Sequence, residues 1–230
     1  MNSDLPPVGV TVVISAKNEE PDVAEAVEGA RPFCDEILVM DGHSTDRTRE
    51  VAARAGARVE LDPGKGKGSA IRAALGIARG EIVVFMDADG SHDPKDIPKL
   101  VKPVADGQVD LCVGSRFLGG SEELSVDIGQ LIRSIGNISM NIAINKRFNV
   151  QLSDTLNGFR AIRREVGLKL RLIENKHTIE QEMVIQALRH GRRVKNVPAH
   201  EYARKHGTSH IRIWREWPHF LWCMFKNLYL

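Results

Sequence analysis

The chain has 230 residues, of which 42% are hydrophobic and 27% charged, and its net charge is +2. That length suits one large α/β domain with a sizeable core or two small ones, and the composition is that of a soluble globular protein. So small a net charge gives no reason to expect a nucleic-acid partner.

The three cysteines, Cys34, Cys112 and Cys223, are far apart and lack metal-ligand or redox spacing, so free or buried thiols in a reducing compartment are expected. Met1–Pro7 has neither the basic nor the apolar region of a secretory signal. No uncharged apolar run of about 20 residues predicts a membrane-spanning helix.

Val8–Ser15 is a near-continuous apolar run rich in β-branched residues and reads as a buried strand. Pro21–Ala30 follows with Val23, Ala26, Val27 and Ala30 at helical spacing. Glu36–Asp41 is a second buried strand. Thr45–Gly56 is a helix with Ser44 or Thr45 as cap and Gly56 as stop. Arg58–Leu61 is a short strand, Gly68–Ala78 a helix, and Ile82–Met86 the strongest strand of all. A helix over Asp96–Ala105 and a strand over Asp110–Gly114 complete the alternation. Such a pattern implies a Rossmann-like α/β fold, with a mostly parallel central sheet and helices on both faces. Ligands bind such sheets beyond the carboxyl ends of the strands, where Asp41, Asp87, Asp89 and Arg116 fall.

The second half reads differently. Ile128–Ile144 sets Ile128, Leu131, Ile132, Ile135, Ile138 and Ile142 on one helical stripe. Thr178–His190 is another helix, Val194–Ala203 a strand with Pro198 suggesting an edge or bulge, and Ile211–Leu230 an amphipathic, aromatic helix. The expected division is a catalytic domain over 1–210 and this C-terminal helix over 211–230.

The most informative segment runs from Phe85 to Pro94, where a buried strand ends in Asp87 and Asp89. Two carboxylates so close repel each other, and a divalent cation removes that cost. Mg2+ or Mn2+ takes one or two carboxylates together with ligand phosphates.

Several ordered motifs accompany the pair. They are Ile14-Ser15-Ala16-Lys17-Asn18-Glu19-Glu20, Asp41-Gly42-His43-Ser44-Thr45-Asp46, Gly64-Lys65-Gly66-Lys67-Gly68-Ser69, Gly114-Ser115-Arg116, Asp154-Thr155-Leu156-Asn157-Gly158-Phe159-Arg160, and Arg204-Lys205-His206-Gly207-Thr208-Ser209. The glycine-rich one has neither Walker nor dinucleotide-binding spacing. In this order the motifs resemble those of family-2, GT-A-fold glycosyltransferases. Within that group they are most similar to the polyprenyl-phosphate (dolichyl-phosphate) mannosyl and glucosyl synthases, from about Val10 to Ser209.

The resemblance implies a GT-A fold and a set of roles. Ser15, Asn18 and Glu19 would line the nucleotide, with Ser15 where the family usually has proline. Asp41 would meet the base or ribose, while Gly42 replaces a second aspartate. Lys67 and Gly68, at a helix N-terminus, would face the phosphates. Asp87 and Asp89 would hold the metal, with Ser91 a third, weaker ligand. Arg116 would face the acceptor phosphate, and Arg160 and Glu182 would line the substrate. Arg204 and Ser209 would sit on the loop covering the donor.

The implied reaction is an inverting, metal-dependent transfer of a hexose from a GDP- or UDP-linked donor, GDP-mannose first, to a lipid phosphate. Such a nucleophile needs no base, and the arginines Arg116 and Arg133 would hold it. A hydroxyl acceptor in a soluble enzyme would need one, with Asp154 and Glu182 as candidates. Asp154 reads equally as a structural acid pairing with Arg160 or Arg163. A non-enzymatic nucleotide-sugar-binding module is a third reading.

Six of the twelve aromatic residues, every Trp included, lie between Trp214 and Tyr229, with Arg204, Lys205, Arg212, Arg215 and Lys226 nearby. A basic, aromatic helix of this kind fits a membrane surface. The expected location is therefore cytoplasmic and peripheral at the inner membrane face, with a membrane partner subunit or a homo-oligomer as further partners.

The central expectation is that Asp89→Ala abolishes sugar transfer and leaves the far-UV circular dichroism and melting temperature intact. A fully active, still metal-requiring variant would move the site elsewhere.

Overall fold

The computed structural model describes residues 9–122, 128–204, 206 and 213–229, without the side chains of 128–133 and 213–217. Seven strands form one sheet: β1 Val10–Ala16, β2 Glu36–Asp41, β3 Arg58–Leu61, β4 Ile82–Asp87, β5 Leu111–Ser115, β6 Arg160–Arg163 and β7 Val194–Pro198. The helices are α1 Val23–Ala30, α2 Thr48–Arg54, α3 Lys67–Ile77, α4 Ile97–Ala105, α5 Arg116–Gly119, α6 Ile128–Phe148, α7 Arg164–Lys169, α8 Ile179–Arg189 and α9 Ile213–Tyr229.

The strand order is β3-β2-β1-β4-β6-β5-β7. β1, β2, β3 and β4 run parallel, as do β5 and β7. The exception is β6, antiparallel to both β4 and β5. Its four residues begin and end in arginine, so no apolar alternation marks it in the sequence. It is a strand because the gap between β4 and β5 must be filled by backbone that pairs on both sides.

Alternate residues of the central strands feed two cores. Val10, Val12 and Ile14 join Val84, Met86, Leu100 and Val104 on one face. Val13, Val83 and Phe85 join Ile71, Leu75, Met183 and Val184 on the other. This two-sided burial explains why β1 and β4 read as unbroken apolar runs.

Some boundaries depart from expectation. Helix α2 starts at Thr48, not Thr45. Arg47 stands at the cap position, and Asp46 just before it accepts from the Thr48 amide at 3.0 Å, while the Ser44 hydroxyl is spent on the Asn18 amide at 2.9 Å. β7 stops at Pro198, which cannot donate to a ladder, and it is the edge strand of the sheet.

Helix α6 sends Met140 and Ile144 into the core but leaves three of its isoleucines outward. Ile135, Ile138 and Ile142 are 55%, 44% and 61% exposed, whereas Asn137 and Asn141 are buried. The reason is the chain that passes beneath. The Asn145 amide both donates to the Leu152 carbonyl and accepts from the Leu152 amide, each at 2.8 Å. Asn141 donates to the Ser153 carbonyl and accepts from the Thr155 amide and hydroxyl. Asn137 donates to the Asp154 carboxylate at 3.1 Å. Residues 152–155 have no ladder of their own, and three asparagines one turn apart satisfy them.

Helix α9 buries Cys223, Asn227 and Leu228. It also anchors through Lys226 and His219, each 3.1 Å from Glu174. Its opposite side leaves Leu221, Trp222, Phe225 and Tyr229 exposed.

Asn145→Ala strips both backbone partners from Leu152 and should cost about 1–3 kcal/mol. Ile138→Ser should stay within about 0.5 kcal/mol of the parent. Urea unfolding of both variants checks this, and a larger loss at Ile138 would contradict the orientation of α6.

Candidate active site

The carboxyl ends of β1, β2 and β4 form a row. On the β2 side the chain is pinned by short polar contacts. Asn18, at φ 56°, accepts the Thr45 amide at 2.8 Å, and Thr48 accepts the Glu19 amide at 2.9 Å. Ser15 is half-buried in β1, paired with Met40 and Asp87. Asp41 is fully buried, with Oδ2 accepting from the Ser44 amide and 3.7 Å from Arg49. Its Oδ1 has no hydrogen-bond partner. A buried orphan acceptor is costly, and a ligand hydroxyl or ring N–H would relieve it.

Asp87 ends β4 and meets Lys67 at 2.8 Å, and the same ammonium lies 2.8 Å from Glu180 on the first turn of α8. Burial pushes the Asp87 carboxyl up, but the Lys67 charge outweighs it and holds the group well below the usual carboxylate range. The backbone N–H of Asp87 donates to His92 Nδ1 at 3.2 Å, and the His92 ring stacks on Phe159.

Lys67 is delivered by the glycines around it. A Cβ on Gly66 or Gly68 would lie 2.7 Å from the Asn175 carbonyl oxygen or 2.3 Å from that of Glu174. The start of α3 therefore packs directly on that backbone, and the Gly68 amide donates to the Asn175 carbonyl at 2.8 Å. Gly158 is under the same constraint, since a Cβ there would lie 3.0 Å from Lys67 Nζ, 3.1 Å from Glu180 Oε1 and 3.3 Å from Asp87 Oδ2.

Asp89 is buried and lies 3.1 Å from Arg204. Ser91 donates its hydroxyl to Asp89 Oδ1 at 2.6 Å and its amide at 3.1 Å, so it braces the carboxylate rather than standing beside it as a separate ligand. Glu19 is pushed up to about 7 by burial and by Asp89, with Arg204 opposing.

Glu19, Asp87, Asp89 and Glu180 thus stand against Lys67 and Arg204. Among the described residues no three His, Cys, Asp or Glu side chains converge as a ready metal cage. The donor set is hard, anionic and incomplete. That suits Mg2+ or Mn2+, which take a pair of carboxylates and draw their other ligands from phosphate and water.

Beyond β5, Arg116 forms a two-pronged pair with Asp154, at 2.7 and 3.1 Å, and reaches Glu201 at 3.3 Å. Asp154 is fully buried and also accepts from Asn137 and the Leu156 amide. Although burial favours its neutral form, Arg116 keeps it ionised and low. The structure thus places Asp154 in a buried ion pair and not as a free carboxylate. Its ion-pair partner is Arg116, not the Arg160 or Arg163 that the sequence suggested.

Arg160 and Glu182 both lie inside the protein. The Arg160 guanidinium is fully buried and donates to the carbonyls of Asn157 and Glu180, which makes it a brace beneath the site. Glu182, also fully buried, accepts from the Ile173 and Glu174 amides at 2.9 Å and holds that loop. The Arg133 side chain and Ser209 lie outside the described residues.

Glu180, Glu201 and His92 were missed. The one sequence signal for Glu180 is a polar run, Glu180-Gln181-Glu182, at the start of an otherwise apolar helix face, all of it buried.

The family Glycosyl transferase family 2 matches residues 11–170. An uncharacterized protein of Methanocaldococcus jannaschii is 32% identical over 214 residues, spanning 88% of this chain and 86% of its own. Glycosyltransferase AglJ of Haloferax volcanii is 31% identical over 88% of this chain and 66% of its own. A dodecaprenyl-phosphate galacturonate synthase of Rhizobium johnstonii is 28% identical over 93% and 65%. Among solved structures, glucosyl-3-phosphoglycerate synthase from Mycobacterium tuberculosis, in complex with Mn2+ and UDP, aligns with TM-score 0.73. That alignment covers 96% of this chain and 80% of the other at 22% identity, a likeness of fold.

The raised Glu19 carboxyl gives a pH test. Its folded value near 7 exceeds its ordinary value of 4.5, so its contribution to stability is full below about 4.5 and is lost as pH rises toward 7. In chelator, Glu19→Gln should melt progressively higher than wild type between pH 5 and pH 8. A melting difference that does not change with pH would refute this.

Proposed function

Because the chain belongs to glycosyl transferase family 2, and is thus a nucleotide-sugar glycosyltransferase with a GT-A fold, we propose that its acceptor is the phosphate of a polyprenyl lipid. The observation that carries this reading is the Arg116–Asp154 pair. On the acceptor side the sequence's candidate base is locked to a guanidinium, so Asp154 is not free to take a proton. A hydroxyl nucleophile needs a base to take its proton. A phosphate monoester, with a second pKa of about 6, is already ionised and needs alignment instead. The longer 3.3 Å contact from Arg116 to Glu201 is the one a phosphate would replace.

The donor lies along the strand ends. Asp41 takes a hydroxyl or ring N–H of the nucleoside through Oδ1, and the Asn18–Glu19 loop lines the same end. Mg2+ or Mn2+ held by Asp87 and Asp89 would supply Lewis-acid neutralisation of the leaving diphosphate. Lys67 and Arg204 add fixed positive charge beside it. Arg116 holds the nucleophile in line on the face opposite the leaving group, which inverts the anomeric centre. GDP-mannose is the first donor in this reading and a UDP-sugar the second.

The faces of α6 and α9 support a lipid acceptor. With one side α6 holds the loop that carries Asp154, and with the other it presents exposed isoleucines. α9 adds Leu221, Trp222, Phe225 and Tyr229. Among the described residues no helix is long and apolar enough to cross a membrane. In this reading the exposed faces rest on the membrane surface at its cytoplasmic side.

The test is release of nucleoside diphosphate from a panel of GDP- and UDP-sugars with Mn2+ or Mg2+, with and without a short polyprenyl phosphate. Release is expected only when metal and lipid phosphate are both present. Arg116→Lys, which keeps the charge but loses the two-pronged grip, should cut kcat/KM for the lipid at least tenfold, since a bidentate arginine site is not served by a point charge. Release indifferent to the lipid phosphate would replace it with a different acceptor.

A further inference from the structure

Glu180 stands outside every motif of the site, yet it touches the group that neutralises Asp87. Its side chain is 8% exposed and Lys67 is 15% exposed, and the two lie 2.8 Å apart. Lys67 lies equally close to Asp87. One ammonium is therefore shared between a carboxylate of the proposed metal pair and a carboxylate on α8. We infer that Glu180 is a positioning residue, which retains Lys67 in the site when a divalent cation takes Asp87. The inference rests on the proposed reading of Asp87 and Asp89 as cation ligands.

The argument is one of charge. A divalent cation and an ammonium cannot both sit at full strength on one carboxylate, so Lys67 must yield when Asp87 is taken. Were Asp87 its sole partner, Lys67 would be left as an unpaired charge in a largely closed site. That cost would be subtracted from the affinity for the metal. Glu180 removes it by offering a second anion already in contact. The Lys67 ammonium then stays beside the leaving diphosphate instead of turning to water. The missing side chain of Gly158 leaves the space in which the three groups meet, since a methyl there would stand 3.0 to 3.3 Å from all of them. The Arg160 guanidinium donates to the Glu180 backbone carbonyl at 2.6 Å and so fixes where α8 begins.

The test uses the full chain and the probes Mn2+ alone and Mn2+ with UDP, read as loss of the free Mn2+ electron paramagnetic resonance signal. Glu180→Gln should weaken Mn2+ binding about tenfold and Glu180→Asp less than about threefold, the scale on which partners of metal-site groups act. Lys67→Met removes the competitor for Asp87 and should tighten Mn2+ binding several-fold. In the Lys67→Met background, Glu180→Gln should cost much less than in wild type, because its effect runs through the ammonium. An equal loss in both backgrounds would make Glu180 a mere distant charge and overturn the inference. Unchanged Mn2+ binding in folded Glu180→Gln would also overturn it. If Glu180→Gln does not fold, unchanged binding in Lys67→Met overturns it instead. Wild-type protein that binds no Mn2+ with or without UDP would sink the proposed metal site itself, and the inference with it. Wild-type binding with unaffected variants would sink the inference alone.

Discussion

A carboxylate at the end of a central strand cannot be left alone. Asp87 closes β4 between parallel β1 and antiparallel β6, and Lys67 brings positive charge to it across the top of the sheet. Much of the architecture follows from that requirement. Lys67 reaches Asp87 from the first residue of α3, and α3 can begin there because Gly66 and Gly68 let its end lie directly on the Glu174–Asn175 backbone. That backbone is held by Glu182, whose buried carboxylate accepts from the Ile173 and Glu174 amides. α8 then supplies Glu180 as a second anion, and Gly158 leaves the space in which the three charges meet. The same cluster that satisfies the fold is the one a divalent cation and a diphosphate would reorganise.

The surroundings of Arg116 are built on the same logic with the signs reversed. Arg116 leaves β5 as a cation that needs fixing, and Asp154 fixes it from a loop without regular structure. Helix α6 provides the missing order through Asn137, Asn141 and Asn145. With the asparagines turned to that segment and Met140 and Ile144 turned to the core, Ile135, Ile138 and Ile142 are left outward. An amphipathic helix is usually read as apolar inward. Here Met140 and Ile144 follow that preference, while the buried backbone of the 152–155 segment draws in the asparagines, because unpaired buried amides cost more than exposed isoleucines do.

Legibility differed between the halves of the chain. The strands β1, β2 and β4 could be read with their burial because two-sided cover leaves unbroken β-branched runs. The residues at their ends, Asp41, Asp87 and Asp89, could be read as a row because a parallel sheet aligns its carboxyl ends. β6 could not be read, since its identity as a strand comes from the neighbours it pairs with and not from its own four residues. Arg160 and Glu182 carry the charge expected of ligand contacts but face backbone amides and carbonyls.

By itself the sequence determined which chemistry the chain carries and in what order: a buried strand ending in two aspartates, a glycine-rich helix start with one lysine, and an arginine after a later strand. Local residue types and spacing suffice for that, because strand burial and turn chemistry act over a few neighbouring residues. Only the tertiary structure decided the pairing of the charges. Lys67 with Glu180, Arg116 with Asp154 and Arg204 with Asp89 join segments far apart in the chain. Which acid meets which base depends on how the helices lie over the sheet. A carboxylate becomes a ligand, a brace or an orienting partner according to the charge that packing sets beside it.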